Sequence, residues 1–136
     1  SIFFLKKKKL WFSLGAFFVA IGIEVLGKVF ISHSSPPFFF LRYNLGVTFP
    51  SFYVQTGNSY PSGHMTRMAF LIMILIFMVI NSSIIKSRKY ILVLLLTTVG
   101  ILMFVSRIYL GEHWFSDVLG GLLLGTSFSI LSIALL

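Results

Sequence analysis

Four stretches of this chain are long and apolar enough to cross a lipid bilayer, and no other feature limits its fold so strongly. Residues 10–27, 65–85, 90–109 and 114–136 each come close to the roughly 20 apolar residues a helix needs to span the hydrocarbon. In lipid, backbone polar groups must be satisfied within the segment, so such spans are helical. Of the 136 residues, 57% are hydrophobic and 10% charged, against about 25% charged in a soluble domain. A soluble fold of this length cannot hide so much apolar surface. The reading is all-α: an integral membrane helical bundle of about four transmembrane helices, with residues 1–136 forming a single membrane-embedded domain.

The joints between spans set the topology. Spans two and three are joined by a short polar turn over 81–89, and spans three and four by a few residues around Gly111. Spans one and two are separated by a loop over 29–60, which contains Pro36, Pro37, Pro50 and the aromatic run Phe38, Phe39 and Phe40. A loop this long is usually functional or disordered, and its apolar character favours a place in the interface over the bundle mouth. Lys6, Lys7, Lys8 and Lys9 precede the first span, and Lys86, Arg88 and Lys89 lie between spans two and three. Alternating spans put both clusters on one side, which the positive-inside rule makes cytoplasmic. The loop and the turn between spans three and four then face outward, toward the outside or periplasm of a plasma (inner) membrane. The first residue is Ser1, so the chain reads as processed or as a fragment. The basic run and apolar run over 2–27 resemble a signal peptide, but the apolar run is too long and no cleavage site follows.

The net charge of +8 comes from eleven Lys/Arg against three acidic residues. In a soluble protein that balance suggests nucleic acid. Here the bases sit in short stretches between apolar runs, where membrane orientation and phosphate binding are the better uses. With no cysteine there are neither disulfides nor thiolate metal sites, and three histidines are too few for most metal centres. No metal and no cofactor are expected.

Two constellations concentrate the rare polar residues. The first is Pro61-Ser62-Gly63-His64 at the start of span two. Proline suits a first helical turn, Ser62 and Gly63 then offer backbone N–H groups to an anion, and His64 is placed to give or take a proton. The plain alternative is a helix cap with an interfacial histidine. The second is Ser106-Arg107, then His113 and Asp117. An i,i+4 spacing puts His113 and Asp117 on one helix face. The acid fixes the imidazole tautomer and frees the other nitrogen as nucleophile or base. Arg107 supplies a planar fork for phosphate oxygens. The alternative is a buried His–Asp pair with a snorkelling arginine. The four-span topology brings His64, Arg107, His113 and Asp117 to one level of one face, and ionisable groups there are functional by default.

Pro-Ser-Gly-His followed by Ser-Arg-x5-His-x3-Asp resembles the type 2 phosphatidic acid phosphatase family, whose superfamily includes vanadium haloperoxidases and bacterial undecaprenyl-diphosphate phosphatases. The likeness runs from Lys28 to about Gly121 and rests on eight motif positions. Members usually have about six spans, so this chain resembles the last four, without the amino-terminal pair. The resemblance implies a lipid phosphate or diphosphate phosphatase. His113 would attack phosphorus and become a phosphohistidine, Asp117 would orient it, and His64 would protonate the leaving group. Lys28, Ser62, Gly63 and Arg107 would hold phosphate oxygens, without a metal. Carrier-lipid diphosphate, phosphatidic acid and phosphatidylglycerophosphate are all compatible substrates.

One motif position departs from the pattern. The family has Lys, six residues, then Arg-Pro; this chain has Lys28, six residues, then Ser35-Pro36. Arg42 or Arg67 could replace the missing guanidinium, with Arg42 slightly preferred because a loop residue can reach the mouth of a site. Each could instead simply anchor its segment at the interface. Glu24, four residues before Lys28, reads as the group that holds Lys28 in place, and Ser106 as another supporting residue. His33 reads as a loop histidine rather than a ligand. Gly121-x3-Gly125 allows close helix approach, more plausibly within the bundle than in a dimer. Two further functions compete with the phosphatase: a lipid phosphotransferase, and a non-catalytic binder or transporter of anionic lipids on the same scaffold. Substrate identity and oligomeric state stay open.

Overall fold

The computed structural model describes residues 2–37, 40 and 58–135, leaving aside the side chains of 2–10. Four helices follow one another: α1 (Ile2–Phe30), α2 (Gly63–Ile80), α3 (Lys86–Tyr109) and α4 (Phe115–Ala134). There is no strand among the described residues beyond a single antiparallel bridge between Ser34 and Asn58. All four helices contain spans long and apolar enough to cross a membrane, the first of them over Trp11–Phe30. The all-α membrane bundle expected from the sequence is what the chain forms.

The second span ends earlier than its hydropathy suggests. Helix α2 stops at Ile80 and Asn81 caps it. Its last carbonyls are taken by side chains rather than by another helical turn. Asn81 Nδ2 donates to Phe77 O at 2.8 Å, Ser82 Oγ to Val79 O at 2.7 Å and Lys89 Nζ to Ile80 O at 2.6 Å. Such bonds relieve the orphan carbonyls of a helix end. The remainder of the expected polar turn, from Lys86, winds into α3.

The tightest seam joins α2 to α4, with α1 packed on α4 and α2 and with α3 resting on α2. Small residues make the seam possible. A Cβ on Gly121 would lie 2.4 Å from Ser62 O, and one on Gly125 would lie 2.2 Å from Thr66 O. Both obstacles are backbone, so the two helices touch main chain to main chain. This is how membrane helices associate when lipid gives no hydrophobic drive between them. Met65, Ala69 and Val118 are buried at the seam, with Phe104 and Leu122 against them. At the far end Ser132 Oγ meets Ser13 Oγ at 2.8 Å and joins α4 to α1. Helix α3 buries no residue at all; it is a lipid-facing strut. The close approach expected of Gly121 and Gly125 therefore lies within the bundle.

Candidate active site

The carboxyl ends of α1 and α3 and the amino ends of α2 and α4 gather at one end of the bundle. Helix α3 ends at Tyr109, and Gly111 adopts φ 72°, the left-handed conformation that glycine takes without steric cost. This tight reversal starts α4 at Phe115. His113 therefore precedes the helix, one residue before the Trp114 cap, rather than sitting on its first turn as the spacing suggested. The pair with Asp117 survives for a local reason. Asp117 turns its carboxylate back over the helix end, where Oδ2 accepts Trp114 N–H at 3.0 Å. That brings Oδ2 to 3.5 Å from His113 Nδ1.

Asp117 is fully buried and holds the site together in two ways. Its backbone carbonyl accepts Ser62 N–H at 2.9 Å, which locks the start of α2 onto α4. This corrects one expectation: the Ser62 amide is committed to the fold and is not free for an anion. Pro61 likewise lies before α2, with Ser62 as N-cap and Gly63 as first helical residue. Ser62 Oγ is buried and has no hydrogen-bond partner among the described residues.

The sequence reading passed over His33 as a loop residue, yet its Nδ1 lies 3.0 Å from Asp117 Oδ1. The contact is short but out of hydrogen-bond alignment, so Oδ1 remains without a hydrogen bond among the described residues. A small turn of the part-exposed imidazole would complete it. The segment carrying His33 is fastened on both sides. His33 O accepts Ser59 N–H at 2.8 Å, and Ser34 O accepts Trp114 Nε1–H at 2.9 Å. Asp117 thus sits between two imidazoles.

Glu24 is 1% exposed and bridges two cations. Lys28 Nζ lies 2.9 Å from Oε1, and Arg67 Nη2 donates to Oε2 at 3.1 Å. The expected Glu24–Lys28 pair is present, and Arg67 joins it. The carboxylate lies against Gly63, where an added Cβ would fall 2.1 Å from Oε1. Of the two candidates for the missing guanidinium, Arg67 is brought to the site. Arg42 lies outside the described residues, as do Phe38, Phe39 and Pro50.

Arg107 is mostly buried and pairs with Glu112 through Nη1, while its Nε has no hydrogen-bond partner among the described residues. Burial pushes the Glu112 carboxyl upward, and the adjacent guanidinium works against that. Glu112 carried no functional signal in the sequence; only the tight turn brings it under Arg107. Ser106 is turned away from the site, its hydroxyl donating to Met103 O at 2.9 Å in its own helix. His64, half-buried on the first turn of α2, lies within electrostatic reach of Lys28, Arg67 and Arg107. His113, 6% exposed, is within reach of Lys28 and His64. Burial pushes the His113 imidazole below its ordinary range, and the Asp117 charge partly opposes this. A neutral imidazole, oriented by a carboxylate and faced by a second histidine and three cations, can attack or exchange protons with an anionic group.

A family model described as the PAP2 superfamily matches residues 9–136. The chain belongs to the PAP2 superfamily. Among curated proteins it is 35% identical over 72 residues to phosphatidylglycerophosphatase B of Bacillus subtilis. That stretch is 52% of this chain and 36% of the relative, so the match spans little more than a third of that protein. No solved structure matches. The PAP2 assignment agrees with the motif resemblance at Ser62-Gly63-His64 and Arg107…His113…Asp117, and Ser35 remains this member's departure.

Proposed function

We propose that this PAP2 chain is a lipid phosphate phosphatase working through a phosphohistidine. The observation that carries the reading is the meeting of His113, Asp117 and His64 with Lys28, Arg67 and Arg107 at one end of a membrane bundle. His113 Nδ1–H would donate to Asp117 Oδ2, leaving the Nε2 lone pair to attack phosphorus. The 3.5 Å separation is long, as catalytic hydrogen bonds often are before substrate binds. As the N–P bond forms, the P–O bond to the lipid breaks and His64 gives its proton to the departing oxygen. His64, now neutral, takes a proton from water, which attacks phosphorus and releases phosphate and free His113. Lys28, Arg67, Arg107 and the Gly63 amide would stabilise the charge on the transferring phosphoryl group, the main source of catalysis in such reactions. Lys86, Arg88 and Lys89 open α3 at the opposite end of the bundle, which favours a site on the extracytoplasmic face. The name of the Bacillus relative favours a phosphomonoester such as phosphatidylglycerophosphate over a diphosphate.

The test is phosphate release from a panel of lipid phosphates and diphosphates in detergent, with EDTA, for wild type and His113→Ala. The expected result is EDTA-resistant release by wild type and none by the folded variant. Release that persists in His113→Ala would refute the nucleophile. A folded wild type that binds lipid phosphate and never releases phosphate would make the chain a binder, with Ser35 as the mark of lost activity.

A further inference from the structure

We propose that the apolar cleft between α2, α3 and α4 binds one hydrocarbon chain of the lipid whose phosphate reaches His113. The inference rests on the phosphatase reading only for the identity of the headgroup.

The cleft has a volume of about 390 Å³, within the roughly 300–1,000 Å³ of small-molecule sites. It begins directly under the catalytic residues. Met65 follows His64 in sequence, Phe104 lies one turn deeper than Arg107, and Leu122 lies just over one turn below Asp117. It continues along α2 to Ile76 and along α3 to Thr97. From Met65 to Ile76 is a rise of about 16 Å, and from Arg107 down to Thr97 about 15 Å. Both agree with half of a hydrocarbon core about 30 Å thick. The cleft therefore runs from headgroup level to the bilayer midplane, which is the path of one lipid tail.

Its lining asks nothing of a polar ligand. The two hydroxyls that line it are spent on their own helices: Thr97 Oγ1 donates to Val93 O at 2.9 Å, and Thr126 Oγ1 to Leu122 O at 2.8 Å. Polar segments of the chain therefore gain no partner there. The upper end is closed, with Met65 2% exposed, while Ile101 at the deeper end is 59% exposed. A tail can thus enter sideways from the bilayer while its phosphate stays at the site. The cleft exists because α3 rests on α2 and makes little contact with α4. Gly100 keeps it open: a Cβ there would meet only the flexible end of Ile72, at 3.2 Å. Because lipid tails are as apolar as the lining, selectivity must come from packing and not from leaving water.

The experiment has two arms, on the purified full chain in detergent. In the first, a phosphatidic acid with a diazirine near the end of its tail is photo-crosslinked and the labelled peptides are mapped. Label should concentrate on 72–76 and 97–101, and Gly100→Leu or Thr97→Phe should cut that labelling at least fivefold. Even labelling of the outward residues Leu94, Leu102 and Leu131, unchanged by either variant, would mean surrounding lipid only and would overturn the proposal. In the second arm, kcat/KM is compared for dioleoyl and dihexanoyl phosphatidic acid. Gly100→Leu should lower the long-chain to short-chain ratio at least fivefold, while the outward control Leu102→Trp leaves it alone. An unchanged ratio overturns the cleft. Absence of hydrolysis by wild type defeats the phosphatase reading instead, and the first arm then still decides the cleft.

Discussion

Replacing Gly125 with alanine should damage a site it does not touch. The added Cβ would lie 2.2 Å from Thr66 O and 2.9 Å from Ala69 Cβ. A carbon and a carbonyl oxygen sit at about 3.3 Å or more, so α2 and α4 must part by about 1 Å. Neither obstacle can rotate away, since one is backbone and the other a methyl on a packed helix. Overpacking of this kind costs about 1–3 kcal/mol. The displacement would also carry to the site. Ser62 N–H now donates to Asp117 O at 2.9 Å; an extra ~1 Å takes that pair beyond hydrogen-bond range. His64 would move away from His113 and Asp117, and a misplacement of 1 Å costs on the order of 100-fold in rate. The control is Gly22→Ala, where an added Cβ meets nothing within 4 Å. The assay pairs thermal unfolding in detergent, followed by tryptophan fluorescence, with phosphate release. Gly125→Ala should unfold several degrees lower and react far more slowly, and Gly22→Ala should match wild type. If the two variants behave alike in both measurements, the main-chain seam is not what positions the site.

Three further outcomes are expected. Because burial lowers the His113 pKa, the acid limb of kcat/KM should fall below the ordinary ~6.5 of histidine. Asp117→Asn should shift that limb lower still while slowing the reaction, and a limb at or above 6.5 would contradict the assignment. By linkage, burial of neutral His113 contributes stability present above about pH 6.5 and lost as pH falls through 6.5 toward the lowered value; pH-dependent unfolding of wild type against His113→Ala checks the sign. Arg67→Ala should cost roughly 30-fold in kcat/KM, at the low end for such contacts because Arg67 is half exposed, and Ser35→Arg in that background should restore part of it. A double variant no better than the single would place the substitute elsewhere. His33→Ala should reduce kcat about tenfold with little change in KM, as for other partners that orient a reacting group, and His33→Asn should recover part of the loss; a change in KM alone would contradict a role through Asp117.

The helices were legible because their cause is local. Apolar runs in lipid have no other backbone solution, and the order of spans fixes which ends share a level. Level is all that this reasoning supplies. Which side of a helix faces which neighbour depends on tertiary contacts, and there the reading was incomplete. Arg67 reaches the site because Glu24 on α1 faces it across the bundle, a relation no spacing encodes. His33 meets Asp117 only because its segment docks onto Ser59 and Trp114. The Ser62 amide looked free in sequence because its acceptor lies 55 positions away on another helix. His113 was placed one turn too far into α4 because i,i+4 spacing suits a helix equally well; the left-handed Gly111 turn decides otherwise.

The α2–α4 seam also has a consequence in time. These two helices are nearest neighbours in space, yet all of α3 is made between them, and roughly 50 residues separate the end of α2 from the end of α4. At about 5–20 residues per second of synthesis, the newly inserted α2 spends several seconds beside lipid before its partner exists. During that interval the growing membrane protein has no site at all, since Asp117 and His113 arrive only with the last helix. Phosphate-handling capacity would then switch on in a single late event, when α4 seats its glycines against Ser62 and Thr66.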